Sequence, residues 1–429
     1  MRVILTVLLL LLAGPAQAAG PLAHREILPN GAVLLVAERP AIPIVVVRVG
    51  LPAGAVYDPA EALGVASLTA ELLTRGTARR SGPELDRVIE FVGGSLEAGA
   101  GSDGAAVTLS VLKKDLALGL DLLAEVLRQP AFSPDELTRK VTEIQGALRR
   151  SEQEPETVAA RELSRMMFPG HPYGRPVSGT IESMGKLTRE QVTAFYQRHY
   201  RPDGANIVAV GDVTVAEIRR ELLQRLGDWT APAEPVPPVP KAPPVTPAQE
   251  RKIVRDLTQT TALLGRPSIR QDDPDYFALS VATYILGGGS ASRLYTRVRE
   301  ERGLAYSVYS SLMPARHGAS YLVSLQTRTD GVEEALRLTR AEMTRLGREP
   351  VAPRELSLAK SYLIGSFPLR LDTSGKLARF LGAVEENGLG LDYPERYKER
   401  IGRVTAADIQ RVAAKHLDPA AFSDVQIGK

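Results

Sequence analysis

The chain twice shows a strand-like alternation of apolar and polar positions followed by apolar positions at helical spacing. In the first half, the alternating stretch Ala106 to Leu112 predicts a strand, and Leu116 to Leu127 predicts an amphipathic helix. In the second half, Tyr321 to Gln326 predicts a strand, and Val332 to Leu346 predicts a helix. The two halves therefore have elements of the same type in the same order.

Helix-start signals follow in the same order and support an internal duplication. Ser133-Pro134-Asp135-Glu136-Leu137 matches Ala352-Pro353-Arg354-Glu355-Leu356, and each places a proline in the first helical turn. Thr188 and Thr405 occupy matching N-cap positions, each followed by an acidic residue. The matching pairs, which include His199 and His416, are separated by 214–219 residues. A constant separation over so many signals indicates two copies of one module.

The predicted fold class is α+β, with two homologous modules joined by a proline-rich linker. Strands and helices mix within each copy, and the alternating strands favour an antiparallel sheet with helices packed on one face. Eight of the sixteen residues from Pro232 to Pro247 are proline, which favours a stiff, extended connector. We predict an N-terminal module at 19–229, a linker at 230–250 and a C-terminal module at 251–429.

The first 18 residues have the pattern of a cleavable signal peptide. Arg2 gives a positive start, Val3 to Ala13 is an apolar run, and Ala16-Gln17-Ala18 is a small-x-small cleavage site. A spanning helix needs about 20 apolar residues, and this run ends earlier, so a permanent anchor is disfavoured. We predict cleavage after Ala18, no membrane span in the mature protein, and a periplasmic location.

Composition limits the chemistry available to the chain. Fifty-three Lys plus Arg against 50 Asp plus Glu give a net charge of +3 with no sustained basic block, so we expect no nucleic-acid partner. The absence of cysteine excludes disulfides, thiolate nucleophiles, iron–sulfur clusters and cysteine zinc sites. None of the five histidines has another histidine three or four residues away, the spacing expected of a metal site.

Several segments carry a family resemblance that covers nearly the whole mature chain. They are Gly64 to Thr77, His171-Pro172-Tyr173-Gly174, Tyr200-Arg201-Pro202 through Gly211-Asp212-Val213, Gly287-Gly288-Gly289, and Arg299 to Tyr306. In these segments the chain resembles the pitrilysin/insulinase-type zinc peptidases, the inverzincins, which include mitochondrial processing peptidase. The resemblance implies the same duplicated α+β architecture.

The zinc motif of that family is absent. Active members carry H-x-x-E-H on this helix, with two zinc-binding histidines and a glutamate as general base. The resemblance places Ser67 and Glu71 at the histidine positions and Ala70 at the general-base position. The third ligand of the family, a glutamate on a later helix, corresponds to Gly146 or Ala147. We therefore expect no bound metal or other cofactor in this chain.

Arg299 and Tyr306 match an arginine–tyrosine pair of the family. The sequence predicts a helix from Ala291 to Arg302, ended by Gly303, and a strand starting at Leu304. The resemblance implies that the pair reaches a zinc site on an N-terminal module, where both side chains can stabilise an oxyanion. Alternatively, Arg299 is a solvated helix charge and Tyr306 packs in a strand.

The resemblance implies a subunit that is inactive alone. A chain without the zinc site but with the arginine–tyrosine pair complements a homologous, zinc-bearing subunit that retains H-x-x-E-H. The substrate is then a peptide or unfolded polypeptide bound along a sheet edge. Two alternatives stay open: a non-catalytic scaffold or interaction protein with this fold, and an autonomous peptidase with a different site.

Overall fold

The computed structural model describes residues 21–429, so the predicted signal peptide lies outside the described residues. Within this range, no helix has the length and apolar character needed to cross a membrane. The first part of the chain forms a six-stranded sheet and the second part a five-stranded sheet. The two predicted modules therefore correspond to two sheets with their own helices.

The first module contains six strands and eight helices. Its strands are β1 (His24–Ile27), β2 (Val33–Glu38), β3 (Ile44–Leu51), β4 (Ser95–Ala100), β5 (Ala105–Leu112) and β6 (Asn206–Gly211). Its helices are α1 (Val65–Leu72), α2 (Gly82–Phe91), α3 (Leu116–Arg128), α4 (Pro134–Ser151), α5 (Pro155–Met167), α6 (Ile181–Met184), α7 (Arg189–His199) and α8 (Val215–Leu226).

The second module contains five strands, six α-helices and one π-helical turn. Its strands are β7 (Glu250–Val254), β8 (Gln259–Pro267), β9 (Ala305–Pro314), β10 (Ala319–Arg328) and β11 (Ser423–Gly428). Its α-helices are α9 (Tyr276–Gly287), α10 (Val332–Arg348), α11 (Pro353–Ser366), α12 (Ser374–Glu386), α13 (Tyr393–Arg403) and α14 (Ala406–His416). The π-helical turn spans Tyr295–Glu300.

The two sheets share one topology, which confirms the predicted duplication. The strand order is β1-β2-β6-β3-β5-β4 in the first sheet and β7-β11-β8-β10-β9 in the second. From β2 onward the orders correspond strand for strand, and β1 is an additional edge strand of the first module. Both sheets are mainly antiparallel, but β2 pairs with β6, and β7 with β11, in parallel. The parallel pair arises because the last strand of each module returns beside its opening strand.

The predicted helix starts agree with the structure. The Ser133 hydroxyl accepts the Glu136 N–H at the start of α4, and α11 begins at the matching proline, Pro353. Thr188 and Thr405 each form a capping box at the start of α7 and α14. These local signals are independent of tertiary contacts, which is why the sequence reveals them.

One predicted element differs from the structure. The helix expected from Ala291 to Arg302 is shorter, running from Arg293 to Glu300, and most of it is π-helical. The Glu301 N–H donates to the Thr296 carbonyl at 2.9 Å, an i to i−5 bond that widens the turn. Gly303, as predicted, lies past the end with φ +59°.

The modules exchange one helix each, so both sheets are covered on two faces. Most helices of each module pack on one face of its own sheet, as predicted. On the other face of the first sheet, Leu377 and Leu381 of α12 pack against Val46 and Val208. Reciprocally, α5 of the first module packs on the far face of the second sheet, against Leu263 and Ile427 among others. The two reciprocal helices thus form two separate apolar clusters between the modules.

The proline-rich connector lies against both modules. Residues 229–249 contain no helix or strand. The buried Arg201 guanidinium donates to the Glu234 and Pro232 carbonyls. Further along, the Ala242 N–H donates to the His317 carbonyl at 2.8 Å. The linker is therefore bonded to the first module at its start and to the second module near its middle.

Candidate functional site

Helix α1, which carries the degenerate zinc motif, is held by the buried side chain of Asp58. Its carboxylate accepts the N–H of Gly64 at 2.6 Å and of Ala66 at 2.9 Å. Burial raises the pKa of Asp58 to about 7, against the lowering effect of these two donors. The left-handed Gly64, at φ +92°, turns the chain into the helix. The scaffold of a metal-binding helix is therefore intact although its ligands are absent.

The three degenerate positions of α1 differ in their surroundings. Ala70 is fully buried in the core of the first module, and Ser67 is 5% exposed. Glu71 is half-buried, and its carboxylate accepts a hydrogen bond from the Ser67 hydroxyl at 3.4 Å. Glu71 is thus the one acidic group that α1 contributes, whereas two histidines and a glutamate are needed for the family's chemistry.

A buried lysine on α4 faces Glu71. The Lys140 ammonium lies 3.5 Å from the Glu71 carboxylate and 2.9 Å from that of Glu143. Its side chain is 8% exposed, so the ammonium is a fixed internal cation between α1 and α4. Ala147, the position of the third family ligand, lies two turns further along the same helix. The lysine thus supplies positive charge between the two helices that carry the zinc ligands in active members.

These residues do not fit a zinc ion. Zinc needs three neutral imidazole or carboxylate ligands held in an oriented shell. Here a single carboxylate on α1 is paired with an ammonium, and Ala147 offers no donor atom. Among residues 21–429, no cluster of three or more histidine, aspartate or glutamate side chains is placed to hold a metal. The first module accordingly lacks the donor atoms for metal-assisted hydrolysis.

The structure brings Arg299 and Tyr306 together in the second module. Arg299 lies in the last turn of the π-helical segment, and Tyr306 follows at the start of β9. Ala305 pairs with Thr327 and Ser307 pairs with Gln326, so Tyr306 is the extra residue of a β-bulge. Bulges and π-turns both redirect side chains and are frequent at functional sites. The π-helical turn thus positions Arg299, and the β-bulge positions Tyr306.

Arg299 is held between two tyrosine rings. Its guanidinium carbon lies 4.7 Å from the ring centre of Tyr295 and 5.7 Å from that of Tyr306. The Arg299 Nη1 also donates to the Tyr295 hydroxyl oxygen at 2.9 Å. Tyr306 is 74% exposed, so its hydroxyl is accessible to a ligand. The cluster therefore presents a phenolic O–H and an oriented guanidinium at an open surface, both donors suited to an oxyanion.

Strand β9, which carries Tyr306, is an edge strand of the second sheet. Three residues further along it, the Tyr309 hydroxyl donates to Glu156 at the start of α5 at 2.8 Å. This bond connects the strand to the first module. The edge beside Tyr306 is thus fixed relative to both modules.

Lys140 and Tyr295 are site residues that the sequence reasoning missed. Lys140 falls on the apolar stripe Leu137, Val141, Ile144 and Leu148 of α4, and a charge on such a stripe is a usable signal. Tyr295 precedes Arg299 by four residues, a spacing that brings side chains together on a helix. Both signals concern neighbours on one helix, and neither residue belongs to the family motif.

Comparison with protein families matches both modules. Residues 33–181 match the insulinase family, peptidase family M16, and residues 186–363 match the peptidase M16 inactive domain. A crystal structure of a peptidase M16 inactive domain from Pseudomonas fluorescens is similar, with a TM-score of 0.88 and 28% identity. The similarity covers 95% of this chain and 97% of the Pseudomonas fluorescens chain. A Helicobacter pylori protease structure, at 19% identity and a TM-score of 0.89, has the same fold and covers 95% and 99%.

Relatives of known sequence include proteins named as zinc proteases and a protein named as a non-peptidase homolog. A protein of Mycobacterium bovis called an uncharacterized zinc protease is 30% identical over 94% of this chain and 92% of its own length. A Helicobacter pylori protein named a non-peptidase homolog is 24% identical over 93% and 92%. The match to both family domains and this identity over nearly the full length show that the chain belongs to the insulinase family, peptidase family M16.

Proposed function

We propose that this chain is the zinc-less subunit of a periplasmic insulinase-type metallopeptidase. It supplies Arg299 and Tyr306 to a homologous partner subunit that binds zinc through an intact H-x-x-E-H motif. The observation that carries this proposal is the Tyr295–Arg299–Tyr306 cluster, whose Tyr306 is exposed, in a chain whose own α1 lacks the zinc-binding histidines. The predicted signal peptide supports the periplasmic location.

The chemistry assigned to the pair is stabilisation of developing negative charge. Attack on a peptide carbonyl places charge on its oxygen, and the Tyr306 O–H and the Arg299 guanidinium are donors of suitable strength. Tyr306 faces solvent, so it is available to a substrate held between two subunits. Arg299 also binds the substrate carbonyl before reaction, which makes it contribute to affinity as well as to turnover.

The proposed substrate is an extended peptide or unfolded polypeptide. Strand β9 is an edge strand, and an edge offers unpaired main-chain donors and acceptors to an added strand. Recognition of main chain is largely independent of side chains, which suits unfolded polypeptides. Tyr306 lies at the bulged start of this edge and therefore beside the bound backbone.

Reconstitution tests the proposal. The mature chain is mixed with the homologue from the same genome that retains H-x-x-E-H, and assembly is verified by size-exclusion chromatography. We expect peptide hydrolysis by the pair and by neither chain alone. Loss of one oxyanion donor costs about 10²–10³ in turnover, so Tyr306→Phe in the assembled pair is expected to show this loss. Tyr362→Phe, the same change at a 54% exposed tyrosine of α11 outside this site, serves as the matched control.

Two results would decide against this function. Full activity of an assembled pair carrying both Arg299→Ala and Tyr306→Phe would remove the catalytic role and favour a scaffold. Stoichiometric zinc and chelator-sensitive hydrolysis by the purified chain alone would instead show an autonomous peptidase.

A further inference from the structure

A cavity of about 460 Å³ lies beside the degenerate zinc motif. Glu71 of α1 lines one end of it, and Ala147 of α4 lines its wall. Helix α5 and the loop from Pro176 to Gly179 complete the lining. This volume is within the range of about 300–1,000 Å³ that is typical of small-ligand sites. The region that corresponds to the family's zinc site therefore has room for a small ligand.

The charges on the cavity wall favour an anion. At the Glu71 end, the acidic groups are already paired with the Lys140 ammonium. Elsewhere the wall includes the exposed Arg150 and Arg161. Within residues 21–429 no carboxylate forms a salt bridge with Arg150, and the salt-bridge partner of Arg161, Glu152, lies 4.0 Å away. Two guanidinium groups are thus available for a carboxylate, which arginine binds in a bidentate manner.

The remaining wall combines apolar and hydroxyl groups. Ile144 and Leu148 of α4 and Val177 of the loop provide an apolar surface. Hydroxyls of Ser151 and Thr157 line the same cavity, and the Ser151 hydroxyl already donates to the Leu148 carbonyl at 2.8 Å. The oxygens of these hydroxyls can accept the amide N–H groups of a peptide, whereas an alkyl chain has no group to donate to them. The lining therefore favours a peptide end over a fatty acid.

We propose that this cavity binds the C-terminal residue of a peptide. The α-carboxylate pairs with Arg150 and Arg161, and an apolar side chain packs against Ile144 and Leu148. The site is a property of this chain by itself and goes beyond the proposed transfer of Arg299 and Tyr306 to a partner. No hydrolysis is involved in it, so the chain holds a chain end, either of a substrate or of a released product.

The test compares two forms of one peptide by calorimetric titration of the purified mature chain, without any partner. The probes are acetyl-Ala-Ala-Ala-Leu with a free C-terminal carboxylate and the same peptide as its C-terminal amide. Because both guanidinium groups are exposed and screened by solvent, the two charge pairs together predict roughly two- to thirtyfold tighter binding of the acid. The double variant Arg150→Gln/Arg161→Gln is expected to abolish this preference.

Two further variants keep the result interpretable. Arg149→Gln removes a neighbouring exposed arginine of α4 that does not line the cavity, and it should retain the full preference. Ala147→Phe fills the cavity from an exposed position and should abolish binding of both peptides. Circular dichroism verifies that each variant is folded. Because these measurements need no partner, they do not depend on the outcome of reconstitution.

Four outcomes would overturn the proposal. They are absence of measurable binding to the parent chain, equal affinity for acid and amide, a preference that persists in the double arginine variant, and decanoate binding as tightly as the peptide acid. The last result would assign the cavity to fatty acids. Acid preference that is lost in the double variant and kept in Arg149→Gln supports the assignment.

Discussion

At the residue scale, the region that corresponds to the family's metal site differs from it in two ways. Ser67 and Ala147, at positions of the family's zinc ligands, and Ala70, at the position of its general base, lack the side chains of the motif, and Lys140 introduces a cation. The first change is visible from the sequence because the family motif fixes which residue types are needed. The second depends on the pairing of α1 with α4, so the sequence shows only an unexplained lysine on an apolar stripe.

We expect Lys140→Met to destabilise the protein. Methionine keeps most of the aliphatic packing but leaves the half-buried Glu71 without its cationic partner, whereas the exposed Glu143 keeps Arg139 at 3.6 Å. The expected loss is about 1–2 kcal/mol in the free energy of unfolding, measured by urea denaturation. Adding Glu71→Gln should recover part of the loss, because the carboxylate then no longer needs a counter-charge.

Lys186→Met provides the matched control. Lys186 pairs with Glu182 across one helical turn, and both side chains are mostly exposed. Exposed pairs of this type contribute little, so the change should stay within about 0.5 kcal/mol. Equal effects of the two substitutions would show that Lys140 is not an internal counter-ion.

For the arginine–tyrosine pair, the sequence predicts the positions of the two residues but not the local backbone geometry. The spacing places Arg299 in the last helical turn and Tyr306 just beyond it, and the structure agrees. The widened turn and the bulge do not follow from the sequence. Both lie on the short segment that connects the π-helical turn to β9, where the register of β9 with β10 shifts between Gln326 and Thr327.

At the element scale, the reciprocal exchange of α5 and α12 was only partly visible in advance. Strands β3 and β6 are apolar at nearly every position, a pattern typical of strands covered on both faces. The pattern therefore indicates a second covering layer. It cannot indicate which helix provides the layer, because that depends on long-range packing between modules.

Leu381→Ala tests this exchange. Leu381 lies on α12 of the second module, is fully buried, and packs on the first sheet. We expect a loss of about 2–5 kcal/mol in the free energy of unfolding, as for other buried leucines. The single tryptophan, Trp229, is buried against the first-module core, so its fluorescence reports unfolding of that module.

The control uses the same substitution on a neighbouring helix. Leu358 of α11 is 55% exposed, and Leu358→Ala should change the Trp229 transition by no more than about 0.5 kcal/mol. A Trp229 transition that Leu381→Ala leaves unchanged would mean that α12 does not stabilise the first module.

At the scale of the whole molecule, the sequence predicts the duplication but not how the two modules are placed relative to each other. Matching signals at a constant separation predict two modules with one topology, and the sheets confirm it. The extra edge strand β1 has no counterpart in the second copy, so duplication could not reveal it. The relative placement of the modules depends on the packing of α5 and α12 and on polar contacts between loops, and neither carries a local sequence signal.

A partly buried polar network joins the two modules and the linker. The Tyr173 hydroxyl donates to the Asp103 carboxylate at 2.5 Å and accepts the His317 N–H at 2.9 Å. The other carboxylate oxygen of Asp103 accepts the Arg316 N–H. Burial and the hydrogen bond to Asp103 raise the pKa of Tyr173, which therefore stays protonated as a donor at neutral pH. One hydroxyl thus connects a first-module loop to the β9–β10 turn.

We predict that Tyr173→Phe loosens this junction without unfolding either module. The ring keeps its edge contact with Phe168, while Asp103 loses a donor and the His317 N–H loses an acceptor. Unpaired buried groups cost about 1–3 kcal/mol, so local opening of the junction should become roughly 5- to 150-fold more frequent. Because the same turn bonds Ala242, limited proteolysis should cut the linker at 230–249 correspondingly faster.

The comparison with Tyr196→Phe separates local opening from general destabilisation. Tyr196 also donates its hydroxyl to a protein group, the Leu127 carbonyl, but this bond lies within the first module. Tyr196→Phe is therefore expected to lower the stability of the first module without faster cleavage of the linker. If the two variants were cut in the linker at the same rate, the Tyr173 network would not be what holds the modules together. Faster cutting in Tyr173→Phe alone would show that this hydroxyl holds the β9–β10 turn and the linker on the first module, and that it contributes, beside the Tyr309–Glu156 bond, to the position of the β9 edge.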